Sequence, residues 1–152
     1  MPRKGIQMTV DIGLALSGCL QTTHQMFYCL DEARYDQLVG LFLPAGTLYR
    51  QGELLTGPDQ IMQAMLKRPT TQRTRHVISN LFIESQSSGL SHVVAYMTAY
   101  RFDDGALHEG SVAISRPLRM SIVRAAMAHT ENSWRIATMT FTPEFEFVSD
   151  AD

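Results

Sequence analysis

Apolar residues recur as Ile12, Leu16, Cys19, Leu20, Thr23, Phe27 and Leu30, a helical spacing that predicts one long one-sided helix opened by Thr9 or Asp11 as N-cap. A shorter second helix is expected over Arg34 to Leu43, with Tyr35, Leu38, Val39 and Phe42 as its buried face and Pro44 and Gly46 as its stop. Thr47 to Gln51 reads as a short strand, and Gly57-Pro-Asp opens a third helix, Gln60 to Lys67, ended by Pro69. The period then changes to alternation. Thr74 to Glu84, Ser91 to Asp103, Ser111 to Ala128 and Ser133 to Thr142 are predicted strands. Ser85 to Gly89, Asp103-Asp-Gly105 and Glu131-Asn-Ser supply turn chemistry between them, and Pro117 requires its strand to be an edge, bent, or delayed past it. Helices first and antiparallel strands afterwards give an α+β fold, with N-terminal helices packed on one face of a curved, mostly antiparallel sheet. Such a sheet bends around a helix and leaves a cone with an open mouth.

Composition narrows the partners. The chain of 152 residues is expected to form one domain, residues 1–152. A hydrophobic share of 45% with 18% charged residues suits a folded domain rather than a disordered chain. A net charge of −2 offers no global field to gather phosphates, so nucleic acid is not the expected partner. No stretch reaches the roughly 18 apolar residues of a membrane span. Cys19 and Cys29 on a shared helix lie about 15 Å apart along its axis, too far for a disulfide, which suits a reducing compartment. Leu16-Ser-Gly-Cys19 behind Met1-Pro-Arg-Lys resembles a lipoprotein cleavage box, but its apolar stretch is short and carries Asp11, so a cytoplasmic protein is expected.

Candidate chemistry gathers in two places. Strand alternation over Thr74-Arg-His-Val-Ile-Ser-Asn80 puts His76, Ile78, Asn80 and Phe82 on one face. Asp31 follows the last buried residue of helix one. A carboxylate against one nitrogen of an imidazole sets the tautomer and raises the basicity of the other nitrogen, so Asp31 and His76 supply the halves of an acid–base dyad. The plainer reading is a hydrogen-bonded core histidine and a helix-boundary carboxylate. A pairing symmetric about Ser88 would set His76 against Tyr100 and Asn80 against Tyr96, whereas a slip of one residue would turn both tyrosines away. Met62, Met65, Met97, Met120, Met127 and Met139 read as core or as the lining of a pocket for a flat apolar ligand. Of Arg116, Arg119 and Arg124, parity sets Arg119 opposite the other two, and a solvated or interface face is expected for them. His24, His92, His108 and His129 have no metal-ligand spacing, and no metal is expected. The alternating acidic and aromatic tail from Pro143 is either a cover for the cone mouth or a neighbour, or a partly ordered terminus.

Phe27-Tyr-Cys-Leu-Asp31, Arg34-Tyr-Asp-Gln-Leu-Val-Gly-Leu-Phe42, Thr74-Arg-His-Val-Ile-Ser-Asn80 and Ser133-Trp-Arg-Ile-Ala137 together resemble the SnoaL-like branch of the nuclear transport factor 2-like superfamily. Scytalone dehydratase and the β subunits of ring-hydroxylating dioxygenases are similar. The resemblance runs over roughly residues 10 to 143 and implies a cystatin-like cone with a ligand pocket between the long helix and the concave sheet. It implies a small-molecule dehydratase or isomerase needing no cofactor, and a homo-oligomer, dimer or trimer, formed through the convex sheet face. Asp31 and His76 match the dehydratase's aspartate–histidine pair. Its tyrosine before that aspartate is Leu30 here, and its second tyrosine matches Tyr49, or Arg50 in an ungapped reading; its further histidine and asparagine have no counterparts. Tyr28, Tyr49, Asn80, Tyr96 and Tyr100 are the candidate substrate-binding residues. The alternatives are a non-catalytic small-molecule binder, or an accessory β-type subunit beside a larger iron-containing subunit, which would make His76 and Asn80 structural.

Overall fold

In the computed structural model, which describes residues 11–148, the chain runs α1 (Ile12–Asp31), α2 (Tyr35–Gly40), β1 (Phe42–Arg50), β2 (Glu53–Thr56), α3 (Gly57–Leu66), β3 (Arg73–Ser87), β4 (Leu90–Phe102), β5 (Arg119–Thr130) and β6 (Ser133–Glu146). Asp11 caps α1, its carboxylate accepting from the Gly13 and Leu14 amides at 2.7 and 3.1 Å. Thr9 and the basic start of the lipoprotein-like pattern lie outside the described residues. The helix closes with Ala33 in the left-handed region and the Arg34 amide bonded back to the Cys29 carbonyl at 2.8 Å, a Schellman closure built on alanine rather than glycine. That closure makes Asp31 the last helical residue and fixes where its side chain points.

The six strands form one sheet in the order β2-β1-β6-β5-β4-β3, antiparallel except for the β1–β6 pair. The α+β arrangement expected from the pattern is observed: helices lie on the concave face of a mostly antiparallel sheet. Met26, Phe27 and Leu30 of α1, Leu38 of α2, and Ile61 and Met65 of α3 pack there against Leu48, Met97, Val123, Met127, Ile136 and Met139. Gly18 lets α1 approach the sheet, for a Cβ there would lie 2.0 Å from Trp134 Cδ1. The Thr22 hydroxyl donates to the Trp134 carbonyl at 2.7 Å beside it.

Several sequence expectations need correction. The buried stripe of α1 is rotated: Ala15, Cys19, Thr22, Thr23 and Met26 are buried, whereas Ile12, Leu16 and Leu20 are exposed. Close helix–sheet approach favours the small residues over the large ones. Helix two ends at Gly40 rather than Leu43, because the Leu41 carbonyl accepts from the Ile136 amide and Phe42 joins the ladder opposite Ile136. Sheet pairing there overrides local helical spacing. β2 was not expected; Gln51 and Gly52, both at positive φ, form the tight turn that folds it onto β1. Residues 103–118 form a connection rather than the start of a strand, and β5 begins just after Pro117 and Leu118. It is tethered by Arg73, whose guanidinium donates to the Gly110 and His108 carbonyls at 2.7 and 2.6 Å.

Candidate active site

The end of α1 and the start of β3 meet at Asp31 and His76. Asp31 Oδ1 lies 2.6 Å from His76 Nδ1, Oδ2 accepts from the His76 backbone amide at 2.9 Å, and the Thr74 hydroxyl donates to Oδ1 at 3.0 Å. Thr74 in turn accepts from Arg68 Nη2 at 3.0 Å. A carboxylate with only 6% of its side chain exposed needs such partners, and these three donors supply them. In the neutral tautomer that donates from Nδ1 to the carboxylate, the basic lone pair lies on Nε2. Among the described residues Nε2 has no hydrogen-bond partner, yet it is not sealed from solvent, and His76 lines a cavity. Phe27 holds the imidazole from the helix side, ring centroids 5.3 Å apart.

The cavity has a volume of about 270 Å³. Leu30, Met97, Ala99, Leu118 and Phe141 give it apolar walls, with Thr74, Ser121 and His76 as polar groups. Arg50, Lys67, Arg68, Arg101 and Arg119 also line it, and no lining residue is acidic. Burial, and then repulsion from Arg68, push the Arg50 guanidinium below its ordinary range, with Glu53 acting weakly the other way. Arg119 Nε is buried without a hydrogen bond; it lies 3.4 Å from Glu146 Oε1, an ionic contact lacking hydrogen-bond geometry.

Of the expected tyrosines and asparagine, Tyr100 alone borders the cavity that His76 lines. His76 pairs with Ala99, Arg75 with Tyr100 and Ser79 with Tyr96, the one-residue slip that takes both tyrosines off the strand face of His76. Tyr100 borders the cavity while sharing its strand face with Arg75; Tyr96 is 41% exposed. A bulge after Ser79, with Asn80 at φ +57°, breaks the alternation, so that Leu81 and not Asn80 continues the inward face. Tyr49 is exposed opposite Leu54 and Thr140, and exposed Tyr28 lies under the Arg34 guanidinium. Of the methionines, Met97 lines the cavity, whereas Met65, Met127 and Met139 are core and Met62 and Met120 are half-buried. The expected solvated or interface face for Arg119 is corrected: it shares the inward row of His76 and Ala99. Arg50, Arg68, Lys67 and Thr74 were not singled out as site residues. Parity offered the signal for Arg50, two positions from buried Leu48 on the same face. Nothing local could reveal Arg68, which follows a helix end. Among the described residues no group of three potential His, Cys, Asp or Glu metal ligands is gathered, and no helix is long and apolar enough to cross a membrane.

A carboxylate-oriented imidazole beside a cavity, on helices seated in a curved sheet, is set in a fold of the cystatin-like kind. The chain belongs to the SnoaL-like domain family, whose profile matches residues 15–140. No curated protein is similar to it in sequence. Its fold is similar to that of a provisionally assigned scytalone dehydratase from Novosphingobium aromaticivorans (TM-score 0.73, 15% identity, 91% of each chain covered). ActVI-ORFA from Streptomyces coelicolor is similar at TM-score 0.73 and 12% identity, with 87% of this chain and 98% of that one covered. The β subunit of a provisionally assigned aromatic-ring-hydroxylating dioxygenase, also from N. aromaticivorans, is similar at TM-score 0.72 and 13% identity, covering 90% of this chain and 94% of its own.

Proposed function

We propose that the protein is a dehydratase (hydro-lyase) acting on a β-hydroxy carbonyl compound, with Asp31 and His76 as the acid–base pair. The observation that carries this reading is the 2.6 Å contact between Asp31 Oδ1 and Nδ1 of a His76 that lines the cavity, with Nε2 free of hydrogen-bond partners among the described residues. Nε2 takes a proton from the carbon α to the carbonyl, and the C–H electron pair forms the enolate. The enolate then collapses, the C–O bond to the β-hydroxyl breaks, and the departing oxygen takes the same proton from His76 as water leaves. The product is the α,β-unsaturated carbonyl, and the imidazole returns to its starting tautomer. Asp31 stabilises the imidazolium between the two transfers, and the positive charge lining the cavity favours the enolate oxygen.

The experiment uses cyclic β-hydroxy ketones, β-hydroxytetralones first, because their dehydration yields fluorescent naphthols. His76→Ala is expected to lower kcat by about 10²–10⁴-fold. A rate within about threefold of wild type would leave only a container that binds without transforming its ligand. A homo-oligomer is also favoured: Val77, Phe82 and Tyr96 are each more than 40% exposed on the outer face of β3 and β4, and a second copy is their proposed cover. Light scattering on Tyr96→Glu should report a smaller species than the wild type. Two buried free thiols suit a cytoplasmic setting.

A further inference from the structure

The charge around the cavity exceeds what a dehydration alone requires. Five cationic side chains line it, in a chain whose net charge is −2, and no carboxylate lines it in return. One of the five, Arg68, is tied through Thr74 to the Asp31 carboxylate, and Arg119 has a partial counter-ion in Glu146. Lys67 and Arg101 are exposed to solvent, whereas half-buried Arg50 makes no ion pair or side-chain hydrogen bond among the described residues. Desolvating a guanidinium is costly without a partner, and a solvated surface normally intersperses the two signs of charge. Arg119 is the most telling of the set. It lies in one row with Ala99 and His76 across three neighbouring strands, so its Cα is about 10 Å from that of His76. Its Nε is buried and unbonded on the wall of the cavity. The guanidinium fork matches a planar or tetrahedral oxyanion better than any other common ligand group.

We propose that Arg50, Arg68 and Arg119 form a subsite for an oxyanionic substituent of the substrate, a carboxylate or a phosphate, in the cavity that the His76 imidazole lines. The inference deepens the dehydratase reading and rests on the same cavity: the substrate is a cyclic β-hydroxy carbonyl compound carrying a fixed negative charge. Leu30, Met97, Leu118 and Phe141 cover its apolar ring, the arginines hold the anionic end, and the acidic carbon faces Nε2. Anchoring the charged end orients the reacting carbon without asking the dyad to do so.

Equilibrium binding of three ring-matched probes tests the subsite without any turnover. Naphthoate or naphthyl phosphate should bind the wild-type protein roughly tenfold to a hundredfold more tightly than naphthol, the range expected for a charge-assisted pair. A preference for the phosphate identifies phosphorylated substrates, and one for the carboxylate identifies acids; either supports the subsite. Arg50→Met and Arg119→Met should each erase most of that preference, while Arg75→Met, on the outer face in an ion pair with Glu32, should retain it. Equal binding of all three probes to the wild type would overturn the proposal even if no variant folded. A preference that survives in both folded cavity variants would also overturn it. His76→Ala should keep the anion preference, so loss of turnover in that variant and loss of anion binding in the others report on separate claims.

Discussion

Replacing Asp31 by Asn probes the dyad at its most constrained atom. The carboxylate faces three donors: the His76 amide at 2.9 Å on Oδ2, and both the Thr74 hydroxyl and His76 Nδ1 on Oδ1. The backbone N–H cannot become an acceptor, so the introduced carbonyl oxygen must take the Oδ2 position and the introduced NH₂ must face Nδ1. An imidazole can answer a donor only by presenting a lone pair, so its proton moves to Nε2. The nitrogen that faces the cavity then carries a proton and has no basic lone pair. The same exchange in a Ser-His-Asp triad costs about 10⁴ in kcat, a barrier increase of roughly 5 kcal/mol. A comparable loss is expected here, with a stability cost of about 1–3 kcal/mol for the altered hydrogen bonds. Long-range ¹⁵N–¹H correlation of the ring nitrogens reads the tautomer directly, with His76→Gln assigning the signals among the five histidines. Wild-type His76 should be protonated at Nδ1 and the variant at Nε2. A wild-type ring already protonated on Nε2 alone, or identical spectra in the two proteins, would refute the reasoning whatever the substrate proves to be.

Other perturbations test the supports of the site. Thr74→Val keeps the shape of a buried residue but removes the link between Arg68 and Asp31; urea unfolding should show a loss of about 1–3 kcal/mol, and unchanged stability would count against that chain of hydrogen bonds. Gly18→Ala should destabilise by up to about 2 kcal/mol, an overpacking cost of about 1–3 kcal/mol against Trp134 offset by the roughly 1 kcal/mol that alanine adds to helix propensity. Fluorescence of the single tryptophan follows that unfolding, and a more stable variant would contradict the packing. Burial pushes the Cys19 thiol up to about 11 from an ordinary 9.0. The unfolded chain therefore releases this proton first, and the thiol's contribution to stability is full below pH 9 and is lost as pH rises from 9 to 11. Denaturation across that window should fall by up to about 2 kcal/mol more steeply in the wild type than in Cys19→Ala, and parallel curves would disprove it.

Much of this architecture was legible along the chain. Capping chemistry at Asp11, the start and stop signals at Gly57 and Pro69, and the later alternation of apolar residues mark the first and third helices and the long strands. These signals are local, because caps, turns and amphipathic periods act within a few residues. The pairing of Asp31 with His76 was within reach as well. Each residue sits where its own element places it, one at the end of the long helix and one on the inward parity of the first long strand.

What the linear pattern could not carry was register. A single bulge at Asn80 exchanged the faces of the residues after it, and the one-residue slip between β3 and β4 turned Tyr96 outward and took Tyr100 off the strand face of His76. Phe42 looked helical until Ile136, remote in the chain, paired with it. The cationic wall belongs to the same category, for Arg50, Arg68 and Arg119 come from a hairpin end, a residue beyond a helix and a remote strand. Their convergence reflects the curvature of the sheet and the order of its strands. A side chain's period is written in its neighbours; the company it keeps across a sheet is decided by long-range packing, which selects one register among several that local preference leaves nearly equal.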